Sequence, residues 1–264
     1  MLIAKRTVLV IEYSIAILGG FVAGIINTLA GNGSTITLTV LTEVLGLPAN
    51  VANGSNRIGI LAQSITSTWE FNRKGILTPE LIRPIILPFI TGAMIGVYFA
   101  VTISNEGFRQ VFGVLLIVLL FVILLKPKRW LQPETFNNHW PKWLMYLIYI
   151  ALGFYGGFIQ MGMGIFFLAV MVLLSNYNLT VSNALKMVIV GSYTILVLLV
   201  FQFHGLVDWK MGGIVAIGQA SGGWITANYH ARFKWMEKVA YYMLVVIILG
   251  AIIYFYQPHS YLLT

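Results

Sequence analysis

The chain has no cysteine, which excludes structural disulfides, thiolate metal sites and any transport relay built on a nucleophilic thiol. Charge is nearly as scarce. Only 9% of the 264 residues are charged, and just 8 of them are acidic, against 16 basic. A soluble domain of this length needs far more charged surface than that. Histidine offers no metal site either. His139, His204, His230 and His259 are scattered without ligand spacing and are expected on the surface. There is no Walker A segment, no H-E-x-x-H, no G-x-S-x-G and no pair of carboxylates on a helix face.

What fills the chain instead is apolar. Hydrophobic residues make up 59% of it, and mean hydropathy is +0.87. Several runs reach the ~20 residues that span a ~30 Å hydrocarbon core, most plainly 108–125 and 238–256. The expected class is an all-α integral membrane protein, multi-pass, in the cell (inner) membrane, with the lipid bilayer as its constant partner. The net charge of +8 forms no continuous stripe, so nucleic acid is not an expected partner. The amino terminus has the basic start and apolar run of a signal peptide. However, the run continues through Ile26 without an A-x-A site, so a retained first helix is expected.

The chain also repeats itself. Gly20–Asn27 aligns with Gly153–Gln160, Gly31-Asn32-Gly33 with Gly162-Met163-Gly164, and Pro48–Arg57 with Tyr177–Lys186. Phe71–Gly75 then aligns with Phe201–Gly205, and Gly92-xxx-Gly96 with Gly218-xxx-Gly222. The offset drifts only from 133 (Gly153 against Gly20) to 126 (Gly218 against Gly92). Five matches in one order read as a duplication. The halves are a first transmembrane repeat, 1–126, and a second, 143–264, joined by a cytoplasmic linker over 127–142.

Each half carries about five apolar segments, near 8–29, 33–46, 50–70, 83–101 and 108–125, then 143–160, 164–175, 180–203, 211–228 and 238–256. Segments 33–46 and 164–175 are too short to cross comfortably and are expected as half-helices after glycine-rich breaks. Loop cations test the topology. Arg73, Lys74 and Arg83, then Lys126, Lys128, Arg129 and Lys142, then Arg232, Lys234 and Lys238 fall on one side if each half reverses chain direction. Lys5 and Arg6 are the exception. The positive-inside rule thus favours two inverted repeats with interrupted helices and both termini outside.

Inverted repeats of this kind place a substrate site where the breaks meet. Asn27, Gly31, Asn32, Gly33 and Ser34 form the first break, and Gln160, Gly162 and Gly164 the second. A half-helix after such a break presents free N–H groups and a positive dipole end, which suits an anion. Arg57 and Lys186 stand at matching positions inside apolar stretches, where a lone cation is costly unless it faces a cavity or partner. Asn53, Ser55, Asn56 and Gln219 could supply further donors, as could Gln63, Ser64, Ser182, Asn183 and Ser221. Helix packing accounts equally well for several of these, and the paired Gly-xxx-Gly motifs read first as close-packing devices. Glu12, Glu43 and Glu70 are candidate proton relays or interfacial acids.

These residues resemble the TauE/SafE family of sulfite exporters. The resemblance rests on G-F-x-A-G-x-I-x-x-x-A-G-x-G at Gly20–Gly33, P-x-x-V-A-x-G-S-N-R at Pro48–Arg57, and G-F-Y-x-G-F at Gly153–Phe158. A short G-x-G, a later lysine and H-G-x-V-D-W at His204–Trp209 complete it. Asn32 and Ser34 interrupt the family's usual glycine run, and Arg57 stands where lysine is common. The resemblance implies a secondary transporter of a small sulfur-containing anion, sulfite or an organosulfonate, working as an exporter by alternating access. It implies no cofactor. A proton or sodium as coupling ion and a homo-oligomer stay open. The alternatives are a carrier or channel for another small anion such as an organic acid and, from other classes, an intramembrane enzyme or a scaffold subunit.

Overall fold

The computed structural model describes residues 2–101, 140–158 and 160–232, with isolated positions between Trp235 and Leu249. Apolar segments 108–125 and 238–256, and all of the linker before Trp140, lie outside the described residues or are described only at isolated positions. Among the described residues there is no strand. The helices are α1 (Leu2–Leu29), α2 (Gly33–Thr39, continued by a π-helical turn, Val40–Val44), α3 (Ala49–Arg73), α4 (Pro79–Ala100), α5 (Lys142–Phe158), α6 (Met163–Leu173), α7 (Leu179–Phe203) and α8 (Trp209–Arg232).

Among the described residues, three stretches are long and apolar enough to cross a membrane: Leu9–Leu29 in α1, Pro79–Ala100 in α4, and Leu179–Phe203 in α7. Their outward surface is apolar, with Val10, Leu87, Tyr98 and Phe203 all strongly exposed, as lipid contact requires. Exposed Trp69, Trp143 and Trp209 lie near helix ends, the level at which indole rings favour the membrane–water boundary. Helix α3 has similar length but low hydropathy. It can be polar because its polar side chains, Ser55 to Arg57, Gln63, Ser64, Ser67 and Glu70, are turned inward and buried.

Glycine sets the helix pairs. A Cβ on Gly20 or Gly24 of α1 would strike the carbonyl oxygens of Val215 or Gln219 in α8. In return, Gly218 and Gly222 of α8 lie against the carbonyls of Ile17 and Phe21. Helices α4 and α5 repeat the arrangement: Gly92 and Gly96 meet the carbonyls of Ile150 and Phe154, while Gly153 and Gly157 meet those of Phe89 and Ala93. The Gly-xxx-Gly pairs are therefore backbone-to-backbone contacts, as the motif's small residues suggest.

Helices α3 and α7 lie between these pairs and run antiparallel. Gly54 near the start of α3 abuts Phe201 near the end of α7, and farther along Ser64 abuts Gly191. At the shared end, Ser55 Oγ accepts from the Asp208 backbone N–H (2.8 Å), and Asp208 Oδ1 caps α8 through Met211 N–H (2.9 Å). Thr66 ties α3 to α8 by donating to Ala220 O at 3.1 Å. Phe89 of α4, Phe167 of α6 and Tyr193 of α7 pack as an aromatic cluster, with ring centroids 5.4 Å apart for Phe89 and Tyr193.

Candidate functional site

Both expected breaks are present. Helix α1 ends where Gly31 takes a left-handed conformation (φ 82°) and donates to Ile26 O and Asn27 O, 3.2 and 3.1 Å away. Helix α2 then folds back along α1, with Gly33 against Ala23 O and the Asn27 side chain. In the second half Gly162 is left-handed (φ 75°), and so is Gln160 (φ 63°), a conformation that costs a residue with a Cβ. The half-helices are short: 7 plus 5 residues and 11 residues, rising about 16–18 Å. The two breaks touch each other. A Cβ on Gly31 would lie 2.6 Å from Gly164 Cα, and one on Gly164 would lie 2.5 Å from Gly31 Cα.

Each buried cation reaches across to the end of the opposite half's first helix. Lys186, on α7, donates from Nζ to Asn27 O (2.7 Å) and Thr28 O (3.1 Å) at the carboxyl end of α1. Its third bond goes to Asn183 Oδ1 (2.6 Å), and Asn183 in turn donates to Leu29 O (3.3 Å). Those carbonyls belong to the last turn of α1, where intrahelical donors run out and the negative end of the helix dipole lies; Asn27 O also accepts from Gly31. Arg57, on α3, donates from Nη1 to Gly156 O near the end of α5 (3.2 Å), with Phe201 beneath its guanidinium at 5.6 Å. Arg57 is fully buried and Lys186 nearly so. Among the described residues, Glu70 alone takes part in side-chain salt bridges, with Arg73 and Lys74, so neither buried cation faces an acid.

A cavity lies where the breaks meet, lined by Asn27, Gly31, Ser34, Gln160, Met163, Gly164, Lys186, Met187 and Val190. It encloses about 10 Å³, on the order of a single water molecule. A polyatomic anion needs more room than that.

Six expected residues line that cavity: Asn27, Gly31, Ser34, Gln160, Gly164 and Lys186. Asn32, Gly33 and Gly162 form the turns beside it. Asn32 Oδ1 accepts from Thr35 Oγ1 at 2.9 Å. Asn56 accepts from Thr37 of α2 at 2.6 Å, and its Nδ2 has no partner among the described residues. Ser55 and the half-buried Asn53 lie instead at the start of α3, where Ser55 joins the α7–α8 turn. Gln219 is buried against Gly59, at the junction of α1, α3 and α8.

Beyond that set, Gln63 fastens the end of α1. It accepts from Asn27 Nδ2 (3.1 Å) and donates to Thr28 Oγ1 (2.9 Å) and Gly24 O (3.1 Å). Sequence reasoning passed over Met163, Met187 and Val190 because apolar residues in apolar helices read as core. The spacing of Lys186, Val190 and Tyr193, which puts all three on one face of α7, was the available signal.

The family model "Sulfite exporter TauE/SafE" matches residues 16–255. The chain is 29% identical over 206 residues to "Probable membrane transporter protein YfcA" of Escherichia coli (strain K12), covering 76% of this chain and 74% of that protein. It is 26% identical over 209 residues to "Probable membrane transporter protein ORF9" of Sinorhizobium sp, covering 79% of each. A "Probable membrane transporter protein" of Haemophilus influenzae is 26% identical over 208 residues, covering 77% of this chain and 79% of that protein. No solved structure matches the chain. With a match across most of its length, and relatives named as probable membrane transporter proteins, the chain belongs to the TauE/SafE sulfite exporter family of membrane transporters.

Proposed function

We propose that the protein is a secondary carrier of a small sulfur-containing anion, sulfite or an organosulfonate, which it exports across the inner membrane by alternating access. The observation that carries this reading is the pair of buried cations, Arg57 and Lys186, with no acid beside either among the described residues. Uncompensated positive charge in a low-dielectric interior is expensive, and an anionic ligand is the natural compensation.

An inverted architecture fits the same picture. The repeat aligns α3 with α7, and these helices run antiparallel. It also aligns Gly31 with Gly162, both left-handed, and the α1–α8 glycine contacts with those of α4 and α5. In such an architecture the closed cavity is an intermediate between an outward and an inward opening. Energy would come from an ion gradient, proton or sodium, or from the anion's own gradient.

The test is ligand-induced stabilisation of the purified protein with sulfite, sulfate, thiosulfate and sulfoacetate. A sulfur anion at 100 times its Kd should add about 2.7 kcal/mol, and Arg57→Ala should abolish the shift. Stabilisation by malonate or acetate alone would make the protein an organic-acid carrier. The absence of any selective shift would defeat the reading.

A further inference from the structure

The two buried cations are not equivalent. All three Lys186 donors are spent on Asn27 O, Thr28 O and Asn183. Among the described residues Arg57 uses only Nη1, on Gly156 O, while Nε and Nη2 are buried without partners. Those two nitrogens form one edge of the guanidinium, a planar two-donor fork that matches two oxygens of an oxyanion. Buried donors left unbonded are rare in native proteins. A third unpartnered group stands at the same place. Tyr193 Oη is buried without a partner among the described residues, and a Cβ on Gly156 would lie 2.9 Å from it. Gly156 is thus touched by Arg57 on its carbonyl and by the Tyr193 hydroxyl at its α-carbon.

Met163 connects this place to the cavity. Met163 is among the residues lining the cavity, and its Cγ would lie 3.2 Å from that same Cβ on Gly156. Along α7, Lys186 and Val190 face the cavity, and Tyr193 follows on the same side. Met163 is a flexible thioether able to repack without breaking a hydrogen bond.

We infer that the free edge of Arg57 and the hydroxyl of Tyr193 form an oxyanion subsite, closed off from the cavity by Met163, while Lys186 serves as a fixed cap on α1. This rests on the reading of the protein as an anion carrier and says which groups hold the anion. Swinging Met163 aside would join the subsite to the cavity and provide the room that the closed state lacks.

Binding of sulfite, sulfoacetate and malonate to the purified full chain, measured by calorimetry, tests the subsite in wild type, Arg57→Lys and Tyr193→Phe. Arg57→Lys keeps the charge and removes the fork. Tyr193→Phe keeps the ring stacked on Phe89 and removes only the hydroxyl, so the anion-free melting temperature should not fall. Each should weaken sulfite binding roughly tenfold or more. Met163→Ala should improve sulfoacetate binding relative to sulfite, and no gain would overturn the part given to Met163. Sulfite binding unchanged in both Arg57→Lys and Tyr193→Phe would overturn the subsite and leave the carrier reading intact. Malonate binding through these two residues, with neither sulfur anion bound, would do the reverse. A wild-type protein that binds none of the three would overturn both.

Discussion

Gln160 holds a left-handed backbone without being glycine, and its Oε1 is buried at the cavity without a partner among the described residues. Left-handed geometry costs about 1–2 kcal/mol for a residue with a Cβ, while glycine costs about 0.5–1 kcal/mol in unfolded-state freedom. Gln160→Gly should therefore melt within about 1 kcal/mol of wild type, whereas β-branched Gln160→Val should lose more than that, as thermal unfolding will measure. Lys186→Met removes the ammonium's bonds to two terminal carbonyls of α1 and to Asn183, and should cost about 2–4 kcal/mol even without ligand. That expectation follows from geometry the sequence did not display. The position of Lys186 inside an apolar run was legible, but its partners lie 158 and 159 residues away. The family resemblance pointed to a sulfur anion, and no side chain within reach of a single-sequence reading specified which of the two cations remains free.

Two interruptions that carried glycine and shortened helices were readable because a backbone reversal leaves a compositional mark. The π-helical continuation Val40–Val44 left none. Nor did the use of Gln160 in place of glycine in the second break, since the sequence pattern there drew attention to Gly162. The helix pairs are more transparent: Gly-xxx-Gly spacing specified a close approach, and only the identity of each partner helix required the structure. Gly96→Leu or Gly157→Leu should force α4 from α5 and cost more than about 2 kcal/mol. Gly213 of α8 is the contrast, since a Cβ there meets nothing within 4 Å. Gly213→Ala should leave stability unchanged or raise it by up to about 1 kcal/mol. Parallel thermal melts of the variants check the pair.

Across the whole molecule, the contact between the start of α3 and the α7–α8 turn puts Lys210 at the end opposite to Arg73 and Lys74. The positive-inside rule predicts that the end bearing Arg73, Lys74 and Arg83 faces the cytoplasm. Since the chain has no native thiol, Lys74→Cys and Lys210→Cys give clean single labelling sites. An impermeant maleimide applied to intact cells should modify the cysteine at 210 and spare the one at 74, and the opposite pattern would invert the orientation. The contact between Gly31 and Gly164 has a genetic consequence as well. Most core clashes can be rescued by trimming the neighbour, but here each neighbour is already the smallest residue there is. A defective Gly31→Ala or Gly164→Ala transporter therefore has no suppressor at the opposing codon, and selection for restored transport should return true revertants at these two positions.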